Sequence, residues 1–283
     1  MAQTKGVVRD IDGNPIPYVS IWIEDQNTGT SSEENGTFSL ENSKNKNLLF
    51  SAVGFKDKIL KFSEVSNVIL ERQVFQIDEV VVESPKKRKK ITIDDYNGIV
   101  RFTSREIAAK FFTYSDAVEK HPFVKQVTFY ASSKIENAKV RVRLLQANSD
   151  KSPGENLTED DEFVILKKGN HNVTVSFENR NIKFPENGLF VVIEPLFINE
   201  NKYYKEIVQK SITGEKRKVK TFVGYEPYLG FLPSKENTTW YFNGKWSQKQ
   251  QHTMKNPNSY SNILMSKYHN KFLELATNID LTD

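Results

Sequence analysis

The chain contains no cysteine, which removes disulfides, zinc-thiolate sites, cysteine nucleophiles and the acylated N-terminal Cys of a bacterial lipoprotein. Any attachment to a membrane then runs through a partner. Long apolar runs are missing too: the longest uncharged one, Gly188 to Ile193, is strand-sized against the ~18–20 residues that span a bilayer. Direct membrane insertion is not expected.

Reactive signatures are equally scarce. The sequence has no Gly-x-Ser-x-Gly, no Gly-x-x-x-x-Gly-Lys-Ser/Thr and no Gly-x-Gly-x-x-Gly, the patterns that place a serine nucleophile, a nucleoside triphosphate or a dinucleotide. His121, His171, His252 and His269 are scattered singly, and none is followed three residues later by Glu as in a zinc carboxypeptidase. Paired carboxylates of a sandwich glycosidase come from distant strands, and nothing here singles out a pair. The expectation is a chain that is not an enzyme and needs no cofactor or metal.

Charge of one sign is also lacking, since 40 Lys and Arg stand against 36 Asp and Glu for a net +4. That excess is too small to imply nucleic acid.

At 283 residues the chain has room for two domains, each able to close its own core. Apolar residues alternate through Val7 to Val8, Val19 to Ile23 and Phe38 to Leu40, and turn chemistry separates them at Asp12-Gly13-Asn14-Pro15 and Asn35-Gly36. An antiparallel sandwich follows, with no helix. Asp10, Asp12 and Asn14 have alternate spacing, and Glu159 to Glu162 are acidic, but neither segment has the downstream Glu of a calcium loop. Both read as turn or loop residues.

Gly6-Val7-Val8, Asp12-Gly13-Asn14-Pro15-Ile16-Pro17, Val19-Ser20-Ile21, Gly29-Thr30, Asn35-Gly36-Thr37-Phe38 and Ser51-Ala52-Val53-Gly54-Phe55 together resemble the carboxypeptidase regulatory-like family. The resemblance implies a transthyretin-like, seven-stranded Greek-key sandwich without catalytic residues, found appended to other domains, including TonB-dependent outer-membrane receptors of Bacteroidetes. Ile77 to Val82 resembles the segment that follows the domain in those receptors. Ser31 departs from the family's common Asp, and Phe55 from its usual Tyr. The remaining ~200 residues are too few for a plug and a large barrel.

Three parts are therefore expected: a regulatory-like sandwich over 1–83, a basic linker over 84–93, and a larger jelly-roll-like sandwich over 94–283 with a short helix or two. Ala2-Gln3 reads as the start left by signal peptidase, or else as the start of a cytoplasmic protein. In the linker, Lys86, Lys87, Arg88, Lys89 and Lys90 form either a solvated hinge or a contact for an anionic surface.

In the second domain, Arg105 to Phe112 reads as a short helix capped by Thr103 or Ser104. Strands are expected at Val124 to Tyr130, Lys139 to Leu144, Glu162 to Leu166, Asn172 to Phe177, Leu189 to Glu194 and Trp240 to Phe242. Lys139-Val140-Arg141-Val142-Arg143-Leu144 alternates so strictly that one face is apolar and the other basic. The segment Phe123 to Pro195 resembles uncharacterised Bacteroidetes sandwich domains, a likeness that brings no activity. Tyr203 to Lys220, basic around Gly214, fits a loop or exposed hairpin, and Ser261 to Thr277 fits either an amphipathic helix or two short strands.

The richest segment for recognition is Gly224 to Trp246. There Tyr225, Tyr228, Trp240, Tyr241 and Trp246 fit either a ligand or partner surface or plain core packing. The functional expectation is an exported, envelope-associated interaction protein that binds an outer-membrane or periplasmic protein. A carbohydrate-binding protein using these aromatics is the alternative.

Overall fold

Alternation along strands decides which residues are buried throughout the computed structural model, which describes residues 3–24, 26, 28–41, 46–73, 89–96, 100, 102–209, 218–256 and 263–283. The chain is nearly all β, as its patterning predicts.

Among the described residues the first sandwich has seven strands: β1 (Gln3–Arg9), β2 (Ser20–Ile23), β3 (Gly29–Ser31), β4 (Thr37–Glu41), β5 (Asn47–Ser51), β6 (Lys58–Lys61) and β7 (Asn67–Ile69). One sheet runs β4-β1-β7, with β7 parallel to β1, and the other runs β3-β2-β5-β6. Val8, Ile21, Ile23, Phe38, Leu48, Phe50 and Val68 fill the space between them. The Asp10 carboxylate accepts the backbone N–H of Asp12 and Asn14 at 3.0 and 2.8 Å and the Asn14 amide at 3.1 Å. It is a turn former whose oxygens are already engaged.

After the linker come β8 (Lys90–Ile93), β9 (Phe102–Ser104), β10 (Ile107–Phe112), the helix α1 (Asp116–Lys120), β11 (Phe123–Ser133) and β12 (Ala138–Ala147). Then follow β13 (Pro153–Asn156), β14 (Glu162–Leu166), β15 (Gly169–Ser176), β16 (Leu189–Pro195), β17 (Lys202–Gln209) and β18 (Lys218–Tyr225). The last are β19 (Tyr228–Ser234), β20 (Thr239–Phe242), β21 (Trp246–Gln248), β22 (Phe272–Leu275) and β23 (Thr277–Thr282).

Two seven-stranded sheets result. One runs β13-β12-β16-β10-β20-β21, with β14 also on β12, and the other β22-β19-β11-β23-β8, with β15 on β11 and β9 on β19. Val127, Phe129, Val140, Leu144, Val191, Ile193 and Ile279 interdigitate between them. Lys90, the last residue of the basic run, already belongs to a strand and pairs with Asp280 at 2.6 Å.

Two sequence expectations are corrected. Ile107–Phe112 is a strand, and the helix begins after Ser115 instead. The reason is that β10 is buried on both faces: Ala108 and Phe112 enter the core, while Ile107 and Ala109 pack on the opposite side. Two apolar faces erase the period of two that marks a strand. The second correction concerns β12, expected to be half-buried, whose basic face is largely withdrawn from solvent. Arg141 is 1% exposed.

Among its described residues, the stretch left open at the C-terminus forms a 3-10 turn, Ser266–Tyr268, followed by β22 and the start of β23. The basic segment from Tyr203 contributes the hairpin arms β17 and β18.

Candidate interaction surfaces

The outer face of the β12-β16-β10-β20 sheet is apolar at Ile107, Ala109, Leu145, Phe190 and Val192, with Trp240, Phe242 and Trp246 beside them. Such a face demands a cover. The first sandwich supplies it: Trp22 on β2 joins the cluster, edge-on to Phe197 at 6.1 Å and to Phe242 at 5.9 Å. All four residues of β2 are buried, because Ile21 and Ile23 face their own core while Ser20 and Trp22 face the second domain.

Polar groups fix the register of this seam. Ser20 donates to Glu194 Oε1 at 2.8 Å and accepts the Trp22 indole N–H at 3.2 Å. Arg141 grips the same carboxylate through Nε at 3.1 Å and Nη2 at 2.8 Å, and reaches Asp161 through Nη1 at 3.2 Å. Arg143 Nη2 lies 3.3 Å from Glu194 Oε2. Burial alone would raise the Glu194 carboxyl, but the guanidiniums of Arg141 and Arg143 and the hydrogen bonds from Arg141 and Ser20 hold it down to about 2. Burial pulls Arg143 below the ordinary guanidinium range. Asp161, read from sequence as part of a solvated acidic loop, turns inward to complete the network.

A loop after β16 clasps the first sandwich from the side. Phe197 donates its N–H to Ser31 Oγ at 3.1 Å and accepts from Thr30 Oγ1 at 3.3 Å, and the Asn199 N–H reaches Glu33 at 3.1 Å. Ser31 is the family departure, and it is used for docking. Fully buried Asn201 holds the loop to β12, accepting from the Lys139 N–H at 2.7 Å and donating to the Lys139 and Leu196 carbonyls at 2.7 and 2.9 Å. Tyr18 takes a hydrogen bond from Lys139 Nζ at 2.6 Å and packs on Phe163, 4.9 Å away.

The five aromatics expected to act together are divided. Trp240 and Trp246 belong to the seam, Trp246 stacking at 5.0 Å on Phe242. Tyr241 points the other way into the second core, stacks on Phe231 at 5.9 Å and donates to the Leu273 carbonyl at 3.1 Å. Burial pushes its hydroxyl up. Tyr225 and Tyr228 lie at the root of the β17-β18 hairpin.

At that root Tyr225 meets Phe197 at 5.4 Å, so rings run from Trp22 through Phe197 to the ribbon. Tyr228 has Arg105 and Lys134 over it, each at 5.2 Å, and Lys134 also covers Tyr203 at 5.2 Å. Glu226 lies 3.8 Å from Lys134, yet burial keeps its carboxyl raised. Beyond the root the ribbon stands apart: among the described residues no third strand pairs with β17 or β18.

A cleft of about 340 Å³ opens at the other end of the second sandwich, between Phe102, Glu106, Asn237, Tyr241, Lys249 and His252. Ligand pockets start at roughly that size. Lys249 closes part of it, pairing with Glu106 at 2.5 Å and lying 4.1 Å above the Tyr241 ring. Among the described residues no three His, Asp or Glu side chains gather as a metal ion requires. Of the basic run, Lys86, Lys87 and Arg88 lie outside the described residues, as does Ile77 to Val82, while Lys89 and Lys90 are exposed.

Residues 4–82 match the model of the CarboxypepD_reg-like domain family. Over 78 residues the chain is 31% identical to the TonB-dependent receptor SusC of Bacteroides thetaiotaomicron, a match that covers 28% of this chain and 8% of the receptor. The chain thus spans far less than two thirds of that relative. The first sandwich, seven strands in two sheets among the described residues, is thus the part of the chain that matches the CarboxypepD_reg-like domain family.

Proposed function

We propose that the chain is a non-catalytic interaction protein of the bacterial cell envelope, exported and docking to an outer-membrane protein complex. The observation that carries this reading is the burial of the regulatory-like domain's outer sheet against the second sandwich, through Trp22 and the Ser20–Glu194–Arg141 network. A domain similar to part of a TonB-dependent receptor is here packed against a second sandwich. The surfaces left to meet a partner are its other sheet and the ribbon rooted at the seam.

Capture of the tagged full chain from detergent-solubilised native envelopes, with quantitative mass spectrometry, tests the proposal. Stoichiometric enrichment of an outer-membrane or periplasmic protein is expected. Recovery from the soluble fraction with no reproducible companion would overturn it.

The carbohydrate reading keeps one specific support. Tyr241 contributes to the wall of the cleft that also holds Glu106, Asn237 and His252, polar groups suited to hydroxyls. Glycan-array binding that survives Trp240 and Trp246 substitution but falls with Asn237→Ala would favour it.

A further inference from the structure

A two-stranded ribbon is only marginally stable in water and presents unpaired backbone groups along both edges. Among the described residues the β17-β18 ribbon pairs over eight positions, from Lys202↔Tyr225 to Gln209↔Lys218. Tyr204, Phe222 and Val223 are 62%, 46% and 47% exposed, large apolar side chains set on a ribbon without a sheet behind it.

Charge indicates what kind of partner covers it. The segment 202–225 holds seven Lys and Arg against Glu206 and Glu215, an excess of five, whereas the whole chain totals only +4. The segment 202–225 is thus one of two strongly basic stretches of the chain, the other being the Lys86 to Lys90 run. Two copies of the ribbon would bring like charges together, so self-pairing is disfavoured.

The register discriminates further. Tyr204 stands across from Val223, with Lys202 and Glu206 on their face, while Phe222 stands across from Lys205 on the other. A ribbon lying on an anionic lipid surface would gather its apolar side chains on one face and its lysines on the opposite one. Here each face carries both kinds, an arrangement suited to being bordered by another strand along its edge.

We infer that the β17-β18 ribbon takes an acidic, extended segment of a partner protein, which adds a strand to it. Main-chain bonds supply the pairing, Tyr204, Phe222 and Val223 the apolar contacts, and Lys205 the sign selection. The inference deepens the interaction reading and rests on it.

The test uses the intact chain and defined probes. These are a short peptide of alternating Glu and Val, the same peptide with alternate amides N-methylated, phosphatidylglycerol vesicles, and lipopolysaccharide. The parent peptide is expected to bind, with affinity falling about tenfold on N-methylation and about tenfold for Tyr204→Ser/Phe222→Ser. Both substitutions lie outside the sandwich cores, and an unchanged thermal transition verifies the fold; Lys205→Glu gives the same result by charge alone. Equal affinity for the N-methylated peptide, or binding of vesicles or lipopolysaccharide but not of peptide, would overturn the inference. If wild type and the ribbon variant capture the same envelope protein equally, the ribbon is excluded while the interaction reading stands. If wild type captures none, that reading itself falls.

Discussion

The hydroxyl of Ser20 donates to Glu194 Oε1 at 2.8 Å, joining residues 174 positions apart in two different sandwiches. Glu194 is the polar hub of the seam, answering two buried guanidiniums as well as Ser20.

Removing that hub is therefore costly. Glu194→Ala takes the carboxylate from buried Arg143 and leaves Arg141 with Asp161 alone, and is expected to destabilise the protein by ~3–5 kcal/mol. Ser20→Ala removes two hydrogen bonds, the one donated to Glu194 and the one accepted from the Trp22 indole, and is expected to cost ~1–3 kcal/mol. Urea unfolding of the two variants measures the difference.

Acid should loosen the same seam. The Glu194 carboxyl is held down to about 2 in the folded protein, below the ~4.3 of an unfolded chain. Its contribution, on the order of 3 kcal/mol, is present above the unfolded value and is lost as pH falls from there towards 2. Denaturant midpoints between pH 7 and pH 3 should drop for wild type and flatten for Glu194→Gln.

Trp22→Ala removes the one side chain that bridges Phe197 and Phe242. A loss of ~3–5 kcal/mol is expected. Because the residue faces the second domain, calorimetry should show wild type melting in one transition and the variant in two.

Gly54 has φ +79°, and an added Cβ would lie 3.3 Å from the Glu159 carbonyl of the second sandwich; Gly13 has φ +87° with nothing within 4 Å. Both Ala variants carry the left-handed penalty of ~1–2 kcal/mol. Gly54→Ala should lose more than Gly13→Ala in thermal melting, and the excess reports how tightly the domains touch.

The first sandwich was legible because its turns are local and its strands bury one face: Asp12-Gly13 and Asn35-Gly36 mark the bends, and Phe38 and Leu40 the core side. Glu162–Leu166 was legible in the same way. What the sequence hid is the seam. Lys139 to Leu144 announces a basic face but not that Glu194, over fifty residues on, would neutralise it. The aromatics Trp240 and Trp246 could be read either as a recognition surface or as core packing because their cover, Trp22, comes from the other domain. Ser20-Ile21-Trp22-Ile23 held the available signal, a strand with a tryptophan on the face turned away from its own core. Strand β10 was hidden for the reason given by its double burial, and the true helix start had only Ser115-Asp116 to mark it.

A seam held by Trp22 and Glu194 makes the two sandwiches move as one body. With no native cysteine, cysteines placed at Ile11 and Ile165, 68% and 63% exposed, can carry a spin-label pair reporting the interdomain distance. One narrow distance distribution at neutral pH, broadening on Glu194→Ala or Trp22→Ala, is the predicted result. A broad distribution in the unsubstituted background, unchanged by either replacement, would contradict the account.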